Sequence, residues 1–155
     1  MSKILKNCPT YVINLIERND KKSYIEKLFN KQKIKFEFYR PTKNESNPKR
    51  GCLESHLHLI KNAIKNNYEK ILIFEDDVKF LKSIHEIKEP PNDWNMIYLG
   101  GTVHRVMDTK NKHYTRVQTW TTHAYFVNLK DKEFVNKIMD MENYNEEVDR
   151  FYLEK

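Results

Sequence analysis

The chain has 155 residues, 39% hydrophobic and 12% aromatic, which suits one compact domain with its own core and excludes a disordered or fibrous class. Its net charge of +6 favours anionic ligands, but acids are interspersed with the lysines, so no basic block marks a nucleic-acid footprint. Cys8 and Cys52 form no CxxC pair and give neither a zinc signature nor a disulfide framework. The N-terminus lacks a signal-peptide apolar region, and no apolar run reaches the roughly 20 residues of a membrane span. The expectation is a soluble, cytoplasmic protein with reduced thiols, a single domain over residues 1–155 that is either whole or cut from a longer chain.

Residues 10–16 are β-branched and aromatic and predict a short buried strand. Residues 17–20 break it, with Asp20 a candidate cap for a helix over 21–32 whose stripe holds Tyr24 or Ile25, Leu28 and Phe29. Alternation over 35–39 predicts a second strand, and residues 41–49 read as a loop. A helix follows over 52–67, opened by Gly51, with Leu53, Leu57, Ile60 and Ile64 at three- and four-residue spacing. Residues 70–74 are a third strand, apolar where both sheet faces are covered. Residues 96–99 predict a fourth strand closed by Gly100 and Gly101, residues 102–120 a hairpin around 108–112, and 124–127 another strand. Residues 131–141 read as helix, and 146–153 as a short helix or extended tail. Strands alternating with helices predict a layered α/β sheet whose ligands bind beyond the carboxyl ends of its parallel strands.

The third strand ends in Glu75, Asp76 and Asp77, three adjacent carboxylates that repel one another unless solvated or met by a cation. Strand geometry puts Glu75 and Asp77 on one face and Asp76 on the other. Two carboxylates on one face can share a hard divalent ion, magnesium or manganese, with substrate phosphates completing its shell. The alternative is a solvated turn with helix-capping aspartates. His56 falls on or beside the inward stripe of its helix, where a structural role is the commoner one. Ser55 beside it forms no nucleophile pair, because adjacent helical side chains point apart. His58 lies on the lysine face, and His123, just before a strand, is a weaker candidate for ligand contact. Asp149 by itself reads as surface, and no P-loop, G-x-G-x-x-G or H-E-x-x-H motif is present.

Six stretches in order resemble glycosyltransferase family 25, which includes lipooligosaccharide and collagen galactosyltransferases: Tyr11-Val-Ile-Asn-Leu-Ile-Glu-Arg18, Gly51-Cys-Leu-Glu-Ser-His56, Ile73-Phe-Glu-Asp-Asp77, Tyr98-Leu-Gly-Gly101, Thr122-His-Ala-Tyr125 and Val148-Asp149. The resemblance implies a GT-A fold, a Rossmann-like mixed sheet with helices on both faces. It implies an inverting transfer of galactose or glucose from a UDP-sugar donor to a glycan or hydroxylated protein acceptor. The triplet then resembles a DxD motif: Asp77, with Asp76 or Glu75 assisting, would hold Mn2+ (or Mg2+) against the diphosphate. Donor contacts implied by motif position are Asn14, Arg18, His56, Asp76, Gly100, Gly101, Thr122 and Tyr125. Asp149 is the first candidate for the general base, with Glu75, Glu146 and Glu147 as alternatives. Such enzymes often take a further metal ligand, frequently histidine, from the C-terminal region, yet no histidine follows Asp149. Two competing readings remain: a non-catalytic nucleotide-sugar-binding relative acting as a scaffold module, and, last, a basic nucleic-acid-binding domain.

Overall fold

The computed structural model describes residues 2–107 and 110–154. A five-stranded sheet forms its centre, built from β1 (Thr10–Ile13), β2 (Glu37–Tyr39), β3 (Lys70–Glu75), β4 (Met96–Tyr98) and β7 (Ala124–Asn128) in the order β2-β1-β3-β7-β4. β1 runs parallel to both β2 and β3, whereas β7 is antiparallel to both β3 and β4. The sheet is therefore mixed, with helices on both faces, as expected.

β3 explains the layering. Ile71 and Ile73 point to one face, where they meet Leu53, Leu57 and Ile60 of α2 (Pro48–Lys65), Ile138 of α3 (Lys132–Met139) and Phe151 of α4 (Val148–Glu154). Leu72 and Phe74 point to the other, against Ile25 and Phe29 of α1 (Asn19–Gln32). All four β3 residues are fully buried, which is why this strand has no polar alternation. The chain passes from β1 through α1 to β2 on one side, then through α2 on the opposite face to β3 on the other side of β1. A topological switch therefore lies between β1 and β3, the place where open α/β sheets generally bind ligands, beyond the carboxyl ends of the strands.

Several boundaries differ from expectation. β1 ends at Ile13, although the Asn14 and Ile16 amides still bond to the Tyr39 and Pro41 carbonyls at 3.0 Å. α1 starts at Asn19, with Arg18 at its N-cap position; Asp20 is no cap but lies in the first turn, bound to the Arg18 guanidinium. α2 starts at Pro48, not after Gly51, because Asn47 caps it by accepting from the Arg50 amide at 3.0 Å. Gly51 lies within the first turn, where a Cβ would meet Asn44 Cβ at 2.7 Å. The expected helix to residue 141 ends at Met139 and continues as a 3-10 turn, Asp140–Asn143. The expected hairpin is β5 (Thr102–Met107) paired with β6 (Arg116–Trp120), and Asp108 at its expected tip lies outside the described residues. None of the described helices is long and apolar enough to cross a membrane.

Candidate functional site

Strand register assembles the site. Ile13 of β1 stands beside Glu75 of β3, so the next residues, Asn14 and Asp76, become neighbours. On the other side Phe74 pairs with Ala124, and the Glu75 amide donates to the His123 carbonyl at 2.9 Å. β7 is antiparallel, so it delivers the residues before its start, Thr122 and His123, to the edge where β1 and β3 end. β4 runs parallel to β3 and brings Gly100 and Gly101 to that same edge.

Glu75 is the hub. Its Oε1 accepts from the Thr122 hydroxyl at 2.6 Å and lies 3.3 Å from His56 Nε2; its Oε2 lies 3.5 Å from His123 Nδ1. Burial works against its charge, but His56, the Thr122 hydroxyl and His123 together hold its carboxyl at about 2 instead of 4.5. Burial likewise disfavours a charged His56, yet the adjacent Cys52 thiol and Glu75 carboxylate hold the ring up at about 9 from 6.5. The His56 side chain is fully buried, and its Nδ1 meets the Tyr125 hydroxyl at 2.6 Å.

Asp77 Oδ1 lies 2.9 Å from His123 Nδ1, which is buried and makes no well-aligned hydrogen bond with any described residue. One ligand atom each from Glu75, Asp77 and His123 lies within 4.8 Å of the others. Two carboxylates converging on one imidazole nitrogen are a donor set suited to a divalent cation. His123, only a weak candidate in sequence, thus stands beside two carboxylates of the triplet.

Asp76 points elsewhere. Its Oδ2 accepts from Asn14 Nδ2 at 2.8 Å, and the same amide group donates to the Arg18 carbonyl at 3.0 Å. Asn14 is fully buried and its Oδ1 accepts from Arg40 Nε at 3.1 Å, so it braces Asp76 through β1. Arg40, which sequence reasoning missed, also bonds the Ile16 carbonyl at 2.8 Å and Asn19 Oδ1 at 2.9 Å. Its signal was a forked side chain immediately after a strand. Arg18 is exposed and holds Asp20 through two bonds, at 3.0 and 2.9 Å.

Tyr125 is fully buried in β7, its hydroxyl held between His56 and the Tyr152 hydroxyl at 3.3 Å. Asp149, in the first turn of α4, accepts from the Thr121 amide at 3.1 Å. Thr121 carries φ of +79°, an uncommon conformation for a β-branched residue, right beside Thr122 and His123. Asp149 also faces Tyr98, whose phenol burial, then the Asp149 charge, push upward. Glu146 and Glu147 are half-buried but committed to ion pairs with Arg150 and Lys49.

Gly101 packs tightly: a Cβ there would lie 2.5 Å from Thr119 Oγ1 and 3.1 Å from the Trp120 carbonyl. Gly100 faces open space. One cleft reaches Gly100, Gly101 and Thr119, and another, lined by Trp94, Tyr98, Gln118 and Tyr152, lies under the β5–β6 hairpin. Neither is lined by Glu75, Asp77 or His123; Asp77 and His123 instead stand half-exposed at the open strand edge. His58 is exposed as expected and stacks on Tyr39 with ring centroids 4.6 Å apart.

Residues 40–153 match the profile of glycosyltransferase family 25 (LPS biosynthesis protein). Procollagen galactosyltransferase 2 of Mus musculus is 36% identical over 58 residues, which cover 32% of this chain and 9% of that protein. The Homo sapiens protein of the same name matches with the same identity and coverage. The chain thus spans only a small part of the curated relatives it matches. With most of its length inside the family profile, the chain belongs to glycosyltransferase family 25.

Proposed function

We propose that this domain is a metal-dependent hexosyltransferase that uses a UDP-sugar donor on a GT-A type fold. The single observation that supports the reading best is the Glu75–Asp77–His123 group, two carboxylates converging on one imidazole nitrogen, at the carboxyl edge beside the β1/β3 switch. Asp77, His123 and Glu75 would hold Mn2+ (or Mg2+), which supplies Lewis-acid stabilisation of the departing diphosphate. The imidazole in the donor set favours manganese over magnesium.

The chain's own residues do the remaining work in this reading. Asn14 and Arg40 fix Asp76 and the end of β1, so the donor edge is rigid before substrate arrives. Thr122 and His56 hold Glu75 charged and oriented. Gly100, with open space around its Cα, lets the donor approach the backbone. Asp149 is the proposed general base of an inverting transfer, removing the acceptor hydroxyl proton; the Thr121 amide orients its carboxylate. Galactose is the preferred donor sugar, because the matched relatives are galactosyltransferases by name. A glycan or hydroxylated protein is the proposed acceptor class.

The test is thermal. With manganese present, UDP at about 100 times its dissociation constant should stabilise the protein by about 2.7 kcal/mol. Asp77→Ala should remove that gain, and a panel of nucleotide-sugars with manganese should then release UDP from one of them. No stabilisation by UDP with metal overturns the reading, whereas stabilisation without any turnover points to a non-catalytic binding module.

A further inference from the structure

Glu75 faces two histidines with two different oxygens, and only one side belongs to the cation group described above. On the other side stand His56 Nε2, 3.3 Å from Glu75 Oε1, and the thiol of Cys52. Cys52 and His56 are four residues apart on α2 and so share one face of that helix. One ligand atom each from Cys52, His56 and Glu75 lies within 4.8 Å of the others. His56 is fully buried, and Glu75 and the Cys52 thiol converge on its Nε2 without a well-aligned hydrogen bond to it. A buried ring nitrogen on which a carboxylate and a thiol converge is a position that a cation can complete.

We propose that Cys52 Sγ, His56 Nε2 and Glu75 Oε1 form a second metal site, selective for a thiophilic divalent cation such as Zn2+ and joined to the Glu75–Asp77–His123 group through the Glu75 carboxylate.

Thiolate sulfur, imidazole nitrogen and carboxylate oxygen are the three ligand types zinc takes, and three protein ligands leave a fourth position for water. The two groups differ in softness: sulfur is present in one and absent from the other, so a hard ion and zinc would sort between them. Cys52 is exposed, which provides the way in from solvent. On binding, the thiol proton and the proton on His56 Nε2 pass to solvent, and the thiolate and Glu75 carboxylate balance the ion's double charge. His56 Nδ1 keeps its proton and donates it to the Tyr125 hydroxyl at 2.6 Å, which fixes the ring's tautomer and direction. Zinc here draws on the same carboxylate as the hard ion, so filling one site weakens the other. The proposal concerns binding alone and stands whether or not sugar transfer is found.

Cobalt(II), a coloured stand-in for zinc, tests it on the full chain. A thiolate ligand gives an intense sulfur-to-cobalt charge-transfer absorption that oxygen and nitrogen ligands do not. The absorption should appear in the wild type, be displaced by zinc, and survive in Asp77→Asn and in Cys8→Ser. Cys52→Ser, a change at an exposed position, should abolish it and weaken zinc binding about tenfold or more by calorimetry. A thermal melt of each variant establishes that it is folded. Absence of the absorption in the wild type, its persistence in Cys52→Ser, or its loss in Asp77→Asn would each overturn the proposal.

Discussion

Glu75 and His56 are charged partners in the folded chain, and their pairing makes stability depend on pH. The His56 value rises to about 9 from 6.5, so its contribution is complete below 6.5 and fades as pH climbs through 9. The Glu75 value falls to about 2 from 4.5, so its contribution is complete above 4.5 and fades as pH drops through 2. Together they stabilise most between 4.5 and 6.5. In chelator-treated protein the melting temperature should therefore fall from pH 6.5 to 9, and this fall should be shallower in His56→Gln. Equal slopes in the two proteins would show that the pair does not set the profile. Spacing placed His56 on or beside the inward stripe but could not say that it meets Glu75, because the two lie on different elements. Asn14 illustrates the same limit: the family resemblance singled it out, but its place just past β1 and its bond to Asp76 rest on β1–β3 register.

α2 carries Cys52 and His56, so its start matters to the site. The local signal for that start was in the chain all along: Asn47 followed by Pro48 is a cap followed by a residue suited to the first helical position. The Pro, Asn, Ser and Lys composition of residues 41–49 outweighed it and suggested loop throughout. Asn47→Ala removes the acceptor for the Arg50 amide and should cost about 1 kcal/mol in urea unfolding. A midpoint equal to wild type would mean that the helix start is held by Pro48 and packing alone. The β5–β6 hairpin was harder to predict from pattern, since every described β5 residue is exposed and no alternation marks a buried face. Its strands are held mainly by each other, and Gly101 lets the turn from β4 pass close to Thr119.

Two apolar layers sandwich the sheet, and Phe74 anchors one of them. Its ring meets Phe29 edge-on with centroids 4.9 Å apart and Phe80 at 5.7 Å. It also immediately precedes Glu75, so core and site are coupled through one peptide. Phe74→Ala should cost about 3–5 kcal/mol, lowering the urea midpoint with an unchanged denaturant slope. A loss below about 1 kcal/mol would show that the layer collapses around the gap and that the aromatic cluster is not the anchor. Against a typical total of about 5–15 kcal/mol, this one ring is a substantial share of the fold's stability.

Local patterning in the sequence determined most strands and helices, the burial of β3 on both faces and the run of carboxylates at its end, since each depends on neighbours along the chain. The resemblance carried by six short motifs pointed to the family that the profile match establishes. Only the tertiary structure decided which side chains meet. The antiparallel insertion of β7 between β3 and β4 brings His123 to Asp77 and Thr122 to Glu75, and the docking of α4 brings Asp149 to Thr121. The histidine that faces Asp77 stands before β7 and not near the C-terminus, because strand pairing joins residues far apart in sequence and spacing along the chain does not encode it.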